Sequence, residues 1–255
     1  MSTGNITIGL AQIPVSKGAI EENLATHVAY IERAAQLGAD LVVFPELSLT
    51  GYELELLEAL ALSKTSEVFD SLAKTAARHA IVIIAGCPLI NEEGKPSIGA
   101  VICFPDGRRE FYNKQYLHEG EDVYCSAGNQ HCLFSVNNTR IALAVCADFA
   151  NPAHIEAAVA QQAQVYIASA LISETGYEAD TKLLASMAKR HHLPVLLSNH
   201  ISTTGGWLTC GNSGGWNREG ELTVAANGTE PDLALCHIHQ GQLYSGQENH
   251  VSSLH

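Results

Sequence analysis

Short, uninterrupted apolar runs organise this chain. They cover residues 6–13, 41–44, 81–87, 141–146, 165–170 and 195–199. Runs of this length suit strands buried on both faces. Between them lie segments with helical spacing. Ile20, Leu24, Val28, Ile31 and Ala35 fall on one stripe, as do Val68, Leu72 and Ala76, and later Leu184, Met187 and His191. Asn151-Pro152 reads as an N-cap followed by proline in the first turn of another helix. Other junctions read as antiparallel hairpins. Residues 91–94 separate the run ending near Ile90 from residues 97–104. Pro105-Asp106-Gly107 separates that run from 109–113, and Asn137-Asn138 separates 131–136 from 141–146. Helices alternating with strands, plus hairpins, predict an α/β fold with mixed sheets rather than a purely parallel one. No internal repeat or flexible linker interrupts the pattern. The expectation is one domain over residues 1–240 and a polar C-terminal tail over 241–255.

Composition narrows the function classes. The chain has 255 residues, 46% of them hydrophobic and only 16% charged, which suits one large core. A formal net charge of −13 repels phosphate backbones and anionic lipid, so neither nucleic acid nor a membrane surface is an expected partner. Residues 1–5 lack the basic and apolar segments of a signal peptide, and no apolar run reaches the ~18 residues of a membrane span. The expected location is therefore cytoplasmic. Seven scattered cysteines form no CxxC pair, so neither a disulfide framework nor a zinc ribbon is suggested. His237, His239 and His250 lack a second cluster at ligand spacing, so no metal is expected there. Gly205-Gly206 and Gly214-Gly215 lack phosphate-loop spacing.

Three places put a reactive side chain at the end of a buried strand. Glu46 follows Phe44-Pro45. A half-buried carboxylate there has a raised pKa and suits a general base, although a lone glutamate after a strand is more often a cap or a surface residue. Lys114 follows Tyr112-Asn113, where it reads as an anchor for developing negative charge or as a snorkelling strand end. Cys146 ends a strand just before a helix, where neighbouring N–H groups lower a thiol pKa, yet most free cysteines are inert core.

Taken together and in this order, these segments make the chain resemble the nitrilase superfamily of carbon–nitrogen hydrolases, in its amidase-like branch. The resemblance runs from Ile6 to about Ile238. It rests on Ala11-Gln12, Phe44-Pro45-Glu46 with Gly51-Tyr52, Asn113-Lys114, Val145-Cys146-Ala147-Asp148, and Gly211-Asn212-Ser213 with Glu219-Gly220. It implies a four-layer α-β-β-α sandwich that commonly forms homodimers. It also implies catalytic roles for Glu46, Lys114 and Cys146. A second acidic residue maps best onto Glu121, with Glu119 as competitor. The implied reaction opens a carbon–nitrogen bond in a small amide through a Cys146 thioester, with no cofactor and no metal. An N-carbamoyl amidohydrolase, a nitrilase, a non-catalytic binding protein and a cysteine–histidine peptidase remain alternatives.

After the nucleophile, many relatives carry an arginine or aromatic residue and then Phe-Pro-Glu; this chain has Phe149-Ala150-Asn151-Pro152-Ala153. Tyr52, Ala147, Phe149, Ala170 and Leu171 are the expected substrate-binding residues. A pocket so lined favours a short, neutral acyl group.

Overall fold

A computed structural model describes residues 4–92 and 94–245. In chain order the elements are β1 (Ile6–Gln12), α1 (Ile20–Gln36), β2 (Leu41–Val43), α2 (Leu57–Leu60), α3 (Glu67–His79), β3 (Val82–Leu89), β4 (Ser97–Cys103), β5 (Arg109–Asn113), β6 (Cys132–Val136), β7 (Thr139–Val145), α4 (Pro152–Ala160), β8 (Val165–Ala170), α5 (Tyr177–His191), β9 (Val195–Asn199), β10 (Thr203–Thr204), β11 (Trp207–Leu208), β12 (Gly214–Trp216), β13 (Leu222–Ala225), β14 (Asp232–His239) and β15 (Gln242–Ser245). Seven strands form one mixed sheet in the order β15-β14-β1-β2-β3-β4-β5. Six form a second, β13-β12-β9-β8-β7-β6.

Strand alternation sends successive side chains to opposite faces, and this builds three apolar layers. Leu41 and Val43 of β2 meet Ile141, Leu143 and Val145 of β7 between the two sheets. Val42 and Ile83 face the other way, toward Ile31 of α1 and Leu72 of α3. On the second sheet, Ala142, Ala168 and Leu197 pack against Ile155 of α4 and Leu184 of α5. The result is the expected α-β-β-α sandwich. Toward one end, hydroxyls take over from hydrocarbon between the sheets. Ser169 Oγ donates to the Phe44 carbonyl at 2.8 Å, and Ser198 Oγ donates to the Ala11 carbonyl at 2.8 Å.

Two expectations need correction. The polar tail does not begin at 241, because Gln242–Ser245 forms edge strand β15, paired antiparallel with β14. Alternating Leu243 into the inter-sheet core explains why this polar-looking stretch is ordered. Residues 246–255, including His250, lie outside the described residues. The second correction concerns α1, whose buried face is Asn23, His27, Ile31 and Ala34 rather than the purely apolar stripe. His27 Nε2 shares a hydrogen bond with Ser48 Oγ at 2.9 Å, and its ring stacks on Phe44 at 4.1 Å. Asn23 Nδ2 donates to the Leu49 carbonyl at 3.1 Å. These polar side chains are buried because they secure the loop that follows β2, which carries Glu46.

Gly86 of β3 lets that loop approach. A Cβ added there would lie 2.4 Å from both Leu47 N and the Pro45 carbonyl oxygen, and backbone atoms cannot swing aside. Gly86→Ala is therefore expected to cost about 1–3 kcal/mol, as overpacking does, and to lower kcat by displacing Glu46. A thermal melt together with steady-state kinetics checks both effects.

Candidate active site

The four sequence candidates converge from four separate segments. Glu46 lies just beyond β2, Lys114 directly follows β5, and Cys146 directly follows β7. Glu121 opens a short 3-10 turn after Gly120, whose φ of +87° reverses the chain. That reversal buries Glu121 completely and leaves Glu119 exposed.

Glu46, Lys114 and Glu121 are all fully buried. Lys114 Nζ donates to Glu46 Oε1 at 2.8 Å and to Glu121 Oε1 at 2.7 Å. Glu121 also accepts from the Tyr52 hydroxyl at 2.6 Å and, through Oε2, from the His118 backbone N–H at 2.7 Å. One cation between two carboxylates satisfies most of the charge that burial strands. The remaining oxygen, Glu46 Oε2, is buried with no hydrogen-bond partner. Such an orphaned acceptor is costly in a structural site and serviceable in a catalytic one.

Burial raises the Glu46 pKa to about 7, against the opposing pull of Lys114. For Lys114, burial works against the ammonium, but the charges of Glu46, Cys146 and Glu121 outweigh it and hold the pKa above its ordinary value. The thiol corrects an expectation. Burial, then the Glu46 charge, push the Cys146 pKa up rather than down, and Lys114 only partly offsets them. A protonated resting thiol therefore needs a base to remove its proton.

Local backbone geometry aims these groups. Cys146 has φ +45° and Leu47, next to Glu46, has φ +50°. Non-glycine residues in the left-handed region cost about 1–3 kcal/mol each and cluster at functional sites. The bend at Cys146 turns its Sγ, 3.6 Å from the Leu171 carbonyl, out of the sheet and into a 3-10 turn formed by Cys146–Asp148. Asp148 locks that turn. Its Oδ2 accepts from Val145 N at 2.9 Å and from the Tyr112 hydroxyl at 2.7 Å. Its Oδ1 accepts from Gln115 N and Tyr116 N, both at 2.9 Å, which ties the Cys146 turn to the segment after Lys114. His200 Nε2 lies 2.5 Å from the Glu46 carbonyl oxygen.

A cavity of about 340 Å³ opens over Cys146 and Glu46, walled by Tyr52, Ala147, Phe149 and Leu171. Ala170, expected in this wall, is not part of it. On β8, Tyr166, Ala168 and Ala170 point to the helix side, so the Ala170 side chain is buried in the α4–α5 core. Residue 171, beyond the strand, escapes that alternation and reaches the cavity. Sequence reasoning missed His118, Ser173, Asp180 and Trp207, which also line it. Among the described residues no lysine or arginine lines it. Arg190 sits on the outer face of α5, 3.7 Å from Glu156.

All seven cysteines are free. Among the described residues no group of three His, Cys, Asp or Glu side chains is placed to hold a metal ion. His237 contacts Thr7, and His239 contacts Asn5. No helix of the described residues is long and apolar enough to cross a membrane.

The chain is 29% identical over 167 residues to a 2-oxoglutaramate amidase of Bacillus subtilis, spanning 64% of each protein. It is 30% identical over 153 residues to a glutamine-dependent NAD(+) synthetase of Xylella fastidiosa, covering 56% of this chain and 27% of that one. The chain thus spans less than two thirds of the length of these curated relatives. The fold matches the crystal structure of an amidase from Nesterenkonia sp., with a TM-score of 0.85 at 22% identity over 94% of this chain and 92% of the other. A mutant of the Nesterenkonia sp. AN1 amidase in complex with butyramide superposes with a TM-score of 0.83 at 23% identity, over 92% of this chain and 91% of the other. The carbon–nitrogen hydrolase family pattern matches residues 7–246, and this chain belongs to that family of enzymes.

Proposed function

We propose that this enzyme hydrolyses a short amide, whose acyl group is apolar next to the scissile bond and bears no carboxylate, through a thioester on Cys146, releasing ammonia and a carboxylic acid. The observation that carries this reading is the partnerless Glu46 Oε2 beside a protonated thiol, with Lys114 buried next to both. Glu46 takes the Sγ proton as sulfur attacks the amide carbon. The oxyanion that forms is met by Lys114, which keeps an N–H beyond the two given to Glu46 and Glu121, and by the backbone N–H of Ala147 in the opening of the 3-10 turn; each such donor is worth ~3–4 kcal/mol. Glu46 returns the proton to the leaving nitrogen and then activates water against the thioester. Glu121 and Tyr52 hold Lys114 in place. The charges that act most strongly on Cys146 are those of Glu46, Lys114 and Glu121, none of them a histidine, which favours this reading over a cysteine–histidine peptidase. A cytoplasmic homodimer belongs to the same reading, on family resemblance.

Only the ionised form of Glu46 accepts a proton, and its pKa is raised to about 7. kcat/KM should therefore climb with pH through about 7 and then level. Lys114 stays protonated throughout and adds no fall on the alkaline side. A profile flat from pH 5 to 8 would move proton transfer to another group.

The related 2-oxoglutaramate amidase acts on a carboxylate-bearing amide by its name, but the cavity described here has no lysine or arginine to pair such a charge. Butanamide is therefore expected to exceed succinamate in kcat/KM. A tenfold preference for succinamate, about 1.4 kcal/mol, would overturn the assignment of an acyl group without a carboxylate.

A further inference from the structure

Asp180 is the one carboxylate in the cavity wall that the chemistry above leaves unused. It projects from the first turn of α5 and is half-buried. Among the described residues no hydrogen bond or ion pair engages its side chain, and the charge that acts on it is that of His118. Its Oδ2 lies over Gly176, where an added Cβ would sit 3.5 Å from both Asp180 Oδ2 and Ser173 Oγ. Ser173 Oγ already accepts from Gly176 N at 3.3 Å and shares a hydrogen bond with Thr175 Oγ1 at 3.1 Å, which leaves the Asp180 carboxylate as the open acceptor there. Trp207 lines the same cavity with 43% of its surface exposed, and the His118 ring stands edge-on to it at 6.4 Å.

An open carboxylate and an exposed indole form a recognisable combination. An unpaired carboxylate beside apolar walls is costly, and an arriving cation removes that cost. Tryptophan is the best aromatic partner for an ammonium ion. Among the described residues no lysine or arginine in the wall competes for Asp180, and the net charge of −13 draws cations toward the protein. Burial also raises the Asp180 pKa, as an unpaired carboxylate requires.

We propose that Asp180 and Trp207 form an ammonium subsite, so that the preferred substrates are short amides carrying a protonated amine at the end remote from the scissile bond. This rests on the amidase reading and refines it. The acyl chain beside Cys146 stays neutral and apolar, and the charge sits where the cavity opens.

The test compares kcat/KM for glycinamide, 3-aminopropanamide, 4-aminobutanamide and 5-aminopentanamide, each against the alkyl amide in which a methyl replaces the amine. At the chain length that spans the cavity, the amine should be favoured tenfold or more. Asp180→Asn should bring that ratio close to one. Asp180→Glu, which keeps the charge on a longer arm, should retain a preference. Trp207→Leu should reduce it several-fold. Each ratio is internal to one variant, so a general loss of activity cannot imitate the effect. Hydrolysis of the alkyl amides with no amine preference at any length, or a preference that survives Asp180→Asn, would overturn the subsite alone. Failure of every amide to acylate Cys146 or to turn over would overturn the amidase reading, and the subsite with it.

Discussion

Cys146→Ala is expected to lower kcat on a small amide by roughly 10⁴-fold or more, as deletion of a covalent nucleophile does, while the protein stays folded. The substitution removes one sulfur from a partly exposed position at the cavity floor. It leaves the left-handed backbone at φ +45° occupied by a non-glycine residue, so local strain is unchanged. The bonds from Asp148 to Val145, Gln115 and Tyr116 do not involve the thiol and persist. Cys87 and Cys236 provide the contrast. Both are fully buried in apolar layers, and burial raises the pKa of each. Replacing either should affect the melting temperature more than the chemistry. Steady-state assays with thermal melts separate the two cases, and a folded Cys146→Ala protein with native turnover would remove the nucleophile assignment.

Glu46→Gln should be the second largest effect, about 10²–10⁴ in kcat for loss of a general acid–base. The amide side chain has the same shape and still accepts from Lys114, which also keeps its contact with Glu121. Stability should change little, so the loss reads as proton transfer. It should be smaller for an ester with an acidic leaving alcohol, since that leaving group departs without a proton. A uniform loss on amide and ester alike would point to displaced geometry instead.

The contrast between Glu46 and Asp180 shows what the sequence could convey. Glu46, Lys114 and Cys146 each follow a continuous apolar run, and runs buried on both faces are legible one at a time. Their convergence is a property of tertiary structure, visible beforehand only through family resemblance. His27 and Asn23 were hidden because their partners, Ser48 and Leu49, lie more than twenty residues away; locally they look like polar interruptions of an amphipathic helix. Ala170 was misplaced by one position of strand alternation, which a run without polar punctuation does not reveal. The burial that distinguishes Glu121 from Glu119 depends on the turn at Gly120. His118, Asp180 and Trp207 come from three distant segments with no shared periodicity, so nothing in the chain ties them to one cavity. The thiol pKa was misjudged because strand-end placement suggested nearby N–H groups and not the dominant burial and Glu46 charge.

The most direct measurement is intact-protein mass spectrometry after acid quench of the enzyme with a short alkyl amide, in the native protein and in Glu46→Gln, where turnover is slowed. The expected result is a mass increase equal to the amide less ammonia, mapped to the peptide bearing Cys146 and absent from Cys146→Ala. An acyl adduct mapped to another residue, or equal labelling of Cys146→Ala, would contradict a thioester mechanism at Cys146.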